Sequence, residues 1–286
     1  MTVLEAIQKS TDFLAKKGIE PPRLQTELLL AHLLKMPRMK LYLNFERTLT
    51  AAETDALREL IKRRATHEPL QHIVGSTSFC GYEIAVNRHA LVPRPETELL
   101  AEAGWTYLST LNAPLSTALD FGTGTGCIAI ALAARCPAAK IVALDLSADA
   151  LALARDNAAK NNVGDRIEFL QGDGFAVFAP ASRAFDLSIS NPPYIASAEI
   201  ATLQPEVRDF DPRAALDGGP DGLDFYRRLA AEAKPFLKPG GKLMLEFGDG
   251  QAEAIRKIFE NEKWIVEAVK EDYSQRARIL VAALKG

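Results

Sequence analysis

The sequence predicts an α/β protein in which a doubly wound, mostly parallel sheet of seven strands follows a small helical bundle. Three observations lead to this fold class. Apolar residues recur with helical spacing up to residue 75, residues 76–92 are rich in β-forming residues, and strand-like and helix-like segments alternate from about residue 94. The chain has 286 residues, which is long enough for two domains.

The first 75 residues contain three predicted amphipathic helices joined by short loops, which indicates a small bundle. Each helix has a recognisable beginning or end in the sequence. The first helix begins with a capping box of Thr2 with Glu5 and ends at Gly18. The second begins at Pro21 and Pro22 and ends at Pro37. The third begins with a capping box of Thr50 with Glu53 and extends to about Arg64. No residue of this bundle carries a chemical signature, so packing and contact with a partner are its predicted roles.

The rest of the chain predicts a hairpin followed by the sheet. The β-rich stretches STSFC and YEIAV flank Gly81 within residues 76–92. The predicted strands after them are 117–121, 140–145, 166–170, 185–190, 242–247, about 264–270 and 277–283. The predicted helices between the strands are 126–135, 147–161 and 223–237. We therefore expect a helical domain at 1–75, a hairpin linker at 76–92 and a sheet domain at 93–286.

The composition is that of a globular protein, with 48% hydrophobic and 25% charged residues, and it excludes a disordered or fibrous chain. Residues 1–75 contain 12 Lys/Arg and 9 Asp/Glu, whereas residues 76–286 contain 22 Lys/Arg and 28 Asp/Glu. Because phosphate binding needs a basic surface, the acidic larger part argues against general nucleic-acid binding. The three cysteines have no paired spacing and the four histidines are scattered, so we expect no structural metal. The sequence contains no long apolar stretch and no leader, which predicts a cytoplasmic protein.

A glycine-rich loop follows the first predicted strand of the sheet and precedes a helix. It contains Gly122, Gly124 and Gly126 with Thr123 and Thr125 between them, a GxGxG spacing that differs from the GxGxxG of dinucleotide enzymes. Glycines there allow a tight turn and the close approach of a ligand to the backbone. A tight turn without a ligand is the alternative interpretation of this loop on its own.

Two acidic residues follow the next two predicted strands, at the sheet edge where folds of this type bind ligands. Asp145 lies 23 residues after Gly122 and can accept hydrogen bonds from both ribose hydroxyls. Asp173, followed by Gly174 and Phe175, can accept from the exocyclic amine of adenine with Phe175 beside the ring, although it can equally be a turn residue. Together with the loop, these residues predict an adenosine-bearing cofactor, and the lack of a Walker lysine disfavours a triphosphate.

The fourth strand of the sheet ends in Asn191, Pro192, Pro193 and Tyr194. Two consecutive prolines remove two N–H donors and fix the backbone, so that the Asn191 side-chain oxygen and the backbone carbonyls become rigid acceptors. Two neighbouring acceptors suit an NH₂ group, which has two N–H donors, and Tyr194 offers an aromatic wall beside a planar group. An Asn-Pro turn with a core tyrosine is the alternative.

The order of glycine loop, ribose acid and Asn-Pro-Pro-Tyr resembles the S-adenosylmethionine-dependent amino-methyltransferases, which act on DNA adenine, ribosomal RNA guanine or protein glutamine. Four segments more narrowly resemble the protein-(glutamine-N5) methyltransferases of peptide chain release factors, the PrmC or HemK family. They are EPLQHIVG at 68–75, LVPRPETE at 91–98, DPRAAL at 211–216 and GGPDGL at 218–223. The order of helical domain, hairpin and catalytic domain matches that family over nearly the whole chain. Gly174 departs from the pattern, because relatives often carry a larger apolar residue there.

This resemblance implies an enzyme with a Rossmann-like methyltransferase domain that moves a methyl group from S-adenosyl-L-methionine to the side-chain amide nitrogen of glutamine in the Gly-Gly-Gln motif of class 1 release factors. Asn191 Oδ1 and the Pro192 carbonyl would accept the two amide N–H bonds, and Tyr194 would pack against the amide plane. The implied catalytic and substrate-binding residues are Asn191, Pro192, Pro193 and Tyr194. The implied cofactor-binding residues are Gly122, Thr123, Gly124, Thr125, Gly126, Asp145, Asp173, Gly174, Phe175 and Asn191. We expect a monomer that acts in translation termination, docks its protein substrate through the helical domain, and binds no nucleic acid or membrane directly.

Other functions remain open at the level of sequence. An amino-methyltransferase of nucleic-acid bases would need a basic, aromatic-rich face or an added recognition domain. A ribosomal-protein glutamine is a further substrate for the same chemistry, and a non-catalytic cofactor-binding module would not need an intact Asn-Pro-Pro-Tyr segment. A dehydrogenase is disfavoured by the loop spacing. Arg94, Glu96 and Glu98 are interpreted as surface or hinge salt bridges, with shaping of the cofactor or substrate site as the alternative.

Overall fold

The computed structural model describes residues 1–111, 115–179 and 184–284. The chain divides into two compact units, one made of Met1–Ser76 with Gln204–Phe210 and the other of Thr77–Leu203 with Asp211–Gly286. No pattern in the sequence indicated that the short segment Gln204–Phe210 belongs to the helical unit.

The first unit is a bundle of short helices, which the apolar spacing predicts. Its helices are α1 (Val3–Lys16), α2 (Pro22–Leu33), α3 (Arg38–Tyr42), α4 (Ala51–Ala65) and α5 (Leu70–Val74). Both predicted capping boxes form, because the hydroxyls of Thr2 and Thr50 accept hydrogen bonds from the amides of Glu5 and Glu53. Aliphatic side chains of α1, α2 and α4 fill the core of the unit.

A buried arginine fixes the returning segment to this bundle. Arg64 is only 3% exposed, and its guanidinium donates to Oε2 of Glu206 at 2.6 Å, Oε1 of Gln25 at 3.0 Å and the carbonyl of Glu68 at 3.0 Å. A buried guanidinium is costly unless its donors are paired. Glu206, which lies in the short helix Pro205–Arg208, is therefore part of what makes the burial of Arg64 tolerable.

The second unit begins with the predicted hairpin. Its strands are β1 (Ser76–Phe79) and β2 (Tyr82–Ala85). The two residues between them, Cys80 and Gly81, both have positive φ, at 51° and 84°. Such a two-residue turn matches the twist of the strands that it joins.

A seven-stranded sheet forms the centre of the second unit, in agreement with the predicted fold class. Its strands are β3 (Thr117–Phe121), β4 (Lys140–Asp145), β5 (Ile167–Gln171), β6 (Phe185–Ser190), β7 (Leu237–Glu246), β8 (Trp264–Glu271) and β9 (Ala277–Leu284). The strand order is β5-β4-β3-β6-β7-β9-β8, and all neighbours are parallel except that β9 is antiparallel to β7 and β8. The chain runs outward from β3 toward β5 and then returns to β6 on the other side. The strand order therefore reverses between β3 and β6, where ligands bind in sheets of this kind.

Helices cover both faces of this sheet. They are α6 (Pro95–Thr110), α7 (Cys127–Arg135), α8 (Ala148–Lys160), α10 (Asp224–Glu232) and α11 (Ala252–Asn261), whereas α9 (Pro205–Arg208) belongs to the first unit. Helices α6, α7 and α8 pack on the face that includes Ala118 and Ile189, and α10 and α11 pack on the face that includes Leu119 and Leu245. Successive residues of a strand point to opposite faces, so the two cores alternate along each strand.

Two helices of the second unit and two element boundaries differ from the sequence prediction. Helices α6 and α11 were not predicted, and the single helix expected at 223–237 ends at Glu232, with a 3₁₀ turn at Lys234–Phe236. Strand β7 begins at Leu237, five residues before the predicted 242. Within the described ranges, no helix is both long enough and apolar enough to cross a membrane.

Candidate active site

A cavity of about 500 Å³ opens at the carboxyl ends of β3, β4 and β6, where the strand order reverses. This volume lies within the range of small-molecule sites. The predicted site residues that line it are Gly122, Thr123, Gly124, Thr125, Asp145, Asp173, Gly174, Asn191, Pro192 and Pro193. Gly126, Phe175 and Tyr194 are predicted site residues that lie outside this lining.

The glycine loop turns sharply at the end of β3. The amides of Gly122 and Thr123 both donate to the carbonyl of Leu144, at 2.8 and 2.9 Å, which folds the loop back toward β4. Gly122 and Gly124 have φ values of 73° and 55°, which residues with a Cβ rarely adopt. The backbone of both glycines therefore faces the cavity without a side chain in between.

Gly126 has a packing role instead of a lining role. It begins α7 in the left-handed conformation, with φ at 81°. A Cβ added to it would lie 3.0 Å from the Cβ of Ala154 on α8. The glycine lets α7 and α8 approach each other, which supports the loop from behind.

Asp120, the residue before Phe121 at the end of β3, holds the loop from inside the protein. Its Oδ2 accepts hydrogen bonds from the Thr123 hydroxyl at 2.6 Å and from the Ala129 amide at 3.1 Å, whereas Oδ1 has no hydrogen-bond partner in the part of the chain that the structure describes. Burial raises the pKa of this carboxyl to about 7. Asp120 was not among the predicted site residues, although it fixes the position of Thr123.

Asp145 stands at the end of β4 beside the glycine loop. Its Oδ2 accepts from the Gly124 amide at 2.8 Å, and its Oδ1 accepts from the Ser147 amide at 2.9 Å. A carboxylate oxygen has further acceptor capacity after one hydrogen bond, so Asp145 can accept two more from neighbouring hydroxyls. Its neighbour Leu146 is 65% exposed and offers the cavity an apolar wall.

Arg228, which the sequence reasoning missed, closes the cavity beyond β5. Its guanidinium donates to the Asp173 carboxylate and to the Asp173 carbonyl, the latter at 2.9 Å. A Cβ added to Gly174 would lie 2.5 Å from Nη2 of Arg228, and Gly174 has φ at 65°. Arg228 therefore occupies the space that a side chain at 174 would need, which explains how this chain can carry glycine there. No sequence signal other than the unusual glycine pointed to it.

Phe175 lies in the core and not beside the cavity. Its ring is 3% exposed and stacks on Phe236 with centroids 5.0 Å apart and an interplanar angle of 14°. It also contacts Phe121, which does line the cavity, at a centroid distance of 5.3 Å. The apolar ring is thus used to support the cavity wall, whereas the sequence analysis expected it beside adenine.

The Asn-Pro-Pro segment follows β6 on the other side of the cavity. Asn191 donates from Nδ2 to the hydroxyl oxygen of Thr97 on α6 at 3.1 Å, and both residues line the cavity. The hydroxyl of Ser190 donates to the Phe121 carbonyl at 2.6 Å and so ties the end of β6 to the end of β3. This bond keeps Asn191 and the glycine loop at a fixed separation.

Tyr194 turns away from the cavity lining. Its ring packs against the core on the side of α10 and α11, and burial raises the pKa of its hydroxyl. Its carbonyl accepts from Nε2 of Gln251 at 2.9 Å, and a Cβ on Gly222 would collide with the same carbonyl. Gly222 in the GGPDGL segment therefore lets that segment lie directly against the end of Asn-Pro-Pro-Tyr.

Arg94 and Glu98 of the 91–98 segment form internal contacts of the second unit. Arg94 pairs with the buried carboxylate of Asp211 at 2.7 Å and also lines the cavity. Oε1 of Glu98 accepts from the Cys80 amide at 2.7 Å and so anchors the hairpin turn. Arg94 thus both forms a salt bridge and helps to shape the cavity, which were the two interpretations left open by the sequence. The contact of Glu98 is structural.

Comparison with known proteins gives two family models that match this chain. The PrmC N-terminal domain matches residues 5–75, and the methyltransferase small domain matches residues 100–205. A release factor glutamine methyltransferase of Geobacter sulfurreducens is 45% identical over 260 residues, which are 90% of this chain and 88% of that protein. One of Chlorobaculum tepidum is 44% identical over 283 residues, which are 97% of this chain and 95% of that protein.

Solved structures share the fold at much lower identity. A methyltransferase from Pyrococcus furiosus superposes with a TM-score of 0.52 at 20% identity, covering 77% of this chain and 97% of that one. At this identity, the likeness concerns the fold alone.

Proposed function

The chain belongs to the family of release factor glutamine methyltransferases, and we propose that it methylates the side-chain amide of the glutamine in the Gly-Gly-Gln motif of class 1 peptide chain release factors. The methyl donor is S-adenosyl-L-methionine, and the products are N5-methylglutamine, S-adenosyl-L-homocysteine and the proton that leaves the amide nitrogen. The observation that carries the proposal is the shared cavity, in which Asn191 and the two prolines face the glycine loop and Asp145.

The donor side of the cavity fits an adenosyl ligand with a charged amino-acid tail. S-adenosylmethionine supplies an activated methyl group on a sulfonium centre. Gly122 and Gly124 present bare backbone to it, Asp145 retains acceptor capacity for the two ribose hydroxyls, and Asp173 lies at the adenine end. Apolar side chains such as Leu146 cover the flat faces.

The acceptor side of the cavity fits a primary amide. An amide nitrogen is a weak nucleophile because its lone pair is delocalised, so the enzyme gains most from orientation. Asn191 Oδ1 and the carbonyl of Pro192 accept the two N–H bonds and turn the lone pair toward the donor. No strong general base is needed, since the nitrogen becomes acidic only as the methyl group is added. Gln251 supports the segment from behind, because its Nε2 donates a hydrogen bond to the backbone carbonyl of Tyr194.

The remaining assignments concern partners and location. The helical domain of residues 1–75, with 12 Lys/Arg against 9 Asp/Glu, docks the protein substrate, and the sheet domain from residue 93 onward performs the transfer. The enzyme acts as a monomer in the cytoplasm and binds no nucleic acid directly. The excess of acidic residues over residues 76–286, 28 against 22 basic ones, supports the last point.

The test is methyl transfer from labelled S-adenosylmethionine to a purified class 1 release factor. A matched release factor whose motif glutamine is replaced by alanine serves as the control, together with ribosomal RNA and DNA. We expect label only in the factor with the intact motif, and mass spectrometry should locate it on the glutamine. Equal labelling of both factors, or label in the nucleic acids alone, would overturn the proposal.

A further inference from the structure

A buried carboxyl that the proposed mechanism does not use lies directly behind Asn191. Glu246 is the last residue of β7, the strand next to β6, and is 2% exposed. Its Oε2 has no hydrogen-bond partner among the described residues. A buried polar atom without a partner costs free energy, so its retention calls for a physical reason.

The hydrogen-bonding and titratable groups around Glu246 come from four neighbouring parts of the second unit. They are Thr97 and Glu96 on α6, Asn191 and Tyr194 after β6, Tyr226 on α10 and Arg278 on β9. Burial raises the pKa of the carboxyl to about 7; hydrogen bonding with Thr97 and Asn191 and the charge of Arg278 lower it, and Glu96 raises it. The hydroxyl of Tyr226 donates to the backbone carbonyl of Glu246 at 2.9 Å, which leaves the carboxyl to the side chains.

The side-chain amide of Asn191 can adopt two orientations of similar shape, in which either Oδ1 or the NH₂ group faces the cavity. Its Nδ2 lies 3.1 Å from the hydroxyl oxygen of Thr97. A threonine hydroxyl can donate or accept, so Thr97 alone would tolerate either end of the amide. An ionised carboxylate can only accept hydrogen bonds, so it favours the end that carries the N–H donors.

We propose that Glu246 is a positioning residue that holds the NH₂ end of Asn191 inside the protein and thereby turns Oδ1 toward the substrate amide. The inference rests on the proposed function, because it explains how Asn191 becomes an acceptor in the cavity. Ionised Glu246 also draws the Thr97 hydroxyl hydrogen toward itself, which leaves the lone pairs of that oxygen for Nδ2 of Asn191. A protonated Glu246 has an O–H donor and loses this preference, so the orientation depends on the charge of a residue outside the cavity lining.

The test compares Glu246→Gln and Glu246→Leu with the wild type and with Glu253→Gln, an exposed glutamate on α11. We expect Glu246→Leu to lower kcat by roughly 10-fold, which is the effect of losing the one hydrogen bond between Asn191 Oδ1 and the substrate amide. The Kd of S-adenosylhomocysteine should stay within about twofold of the wild-type value. The wild-type kcat should fall as the pH decreases from 8 to 6. Glu246→Gln, which carries no charge at any pH, should have a lower kcat at pH 8 and lack this fall.

A second readout does not depend on catalysis. The side-chain NH₂ resonances of Asn191 in ¹⁵N-labelled enzyme should shift with pH around a midpoint near 7 in the wild type and stay constant in Glu246→Gln. Equal kcat in all variants at every pH, or Asn191 resonances with the same pH dependence in the wild type and Glu246→Gln, would overturn the role of Glu246. A wild-type enzyme that leaves the release factor unmethylated would instead overturn the proposed function, and the resonances would still decide the role of Glu246. If Glu246→Leu does not fold, Glu246→Gln decides, because it keeps the side-chain volume.

Discussion

The contact between Gly174 and Arg228 gives the sharpest test of the cofactor side of the cavity. Replacing Gly174 by alanine adds one methyl group at a residue with φ of 65°, which costs roughly 1–2 kcal/mol for an L-residue in the left-handed region. The new Cβ would lie 2.5 Å from Nη2 and 2.8 Å from Cζ of Arg228, so the guanidinium must move and give up its hydrogen bonds to Asp173. Asp173 is 69% exposed in its side chain, and a pair of this kind contributes about 0–1 kcal/mol.

These two costs can be separated by a double-mutant cycle with Arg228→Ala. In the wild-type background, Gly174→Ala should lower the free energy of unfolding by roughly 1–3 kcal/mol, since both costs apply. In the Arg228→Ala background, only the backbone cost of roughly 1–2 kcal/mol remains. Urea unfolding of the four proteins measures the difference, which is the coupling free energy of the two sites.

Binding of S-adenosylhomocysteine gives the functional half of the same cycle. Arg228 lines the cavity and holds Asp173, so Gly174→Ala and Arg228→Ala should each raise the Kd several-fold. Such an increase corresponds to the loss of about one cation–π contact or one charged hydrogen bond. The double variant should bind no more weakly than the weaker single variant, since both remove the same wall. Arg227→Ala is the matched control, because that arginine pairs with Asp221 and lies outside the lining. Fully additive effects on stability and on Kd would refute the contact as the cause.

Three further predictions follow from the site. Asn191→Ala should lower kcat by at least about 100-fold while the Kd of S-adenosylhomocysteine stays within about threefold; near-normal turnover would contradict the amide acceptor role. Asp145→Ala should raise that Kd by at least about 100-fold in calorimetry, since two charged hydrogen bonds are lost, and an unchanged Kd would remove Asp145 from the ribose site. Folding favours the protonated form of Glu246, because burial raises the pKa of its carboxyl from 4.5 to about 7. As the pH rises from 4.5 to 7.5, the wild type should therefore lose at most about 3 kcal/mol of unfolding free energy relative to Glu246→Gln. Parallel curves of stability against pH for the two proteins would contradict the burial effect.

The parts of the fold that the sequence predicts are those in which local pattern and tertiary packing agree. Capping boxes mark α1 and α4, and alternation of strands and helices predicts the sheet. Helix α6 was missed because Gly104 interrupts its pattern, yet a Cβ there would lie 3.0 Å from Cδ1 of Ile189. The glycine is a packing requirement of the helix against β6 and not a break in it.

Strand β7 shows the opposite case, in which a turn signal is overridden. Lys238 to Gly241 contain a proline and two glycines, which favour a loop. In the structure Leu237 pairs with Phe185, and the register then shifts before Lys242 pairs with Leu187. A bulge of this kind depends on the neighbouring strand, so the sequence of β7 alone cannot indicate where pairing begins.

The predicted residues that line the cavity were recognisable in the sequence, because their chemistry is grouped in short motifs at strand ends. Thr97 and Arg228 were not, because they come from helices α6 and α10, far from those motifs in sequence. Phe175 has the expected position in the chain but faces the core, where its ring packs against those of Phe121 and Phe236. A single sequence carries no information on which of two faces such a ring will choose at the end of a strand.

Asp120 and Glu246 meet the same physical requirement at the ends of β3 and β7. Both carboxyls are buried, each has one oxygen that finds no hydrogen-bond partner within the described ranges, and burial raises the pKa of each to about 7. An apolar side chain in either place would avoid this cost, but it could not select the orientation of a hydroxyl or an amide. Asp120 selects that of Thr123 in the glycine loop, and Glu246 is proposed to select that of Asn191. The two share a sequence signal, since each is an acid between leucine and phenylalanine at the carboxyl end of a strand of the sheet.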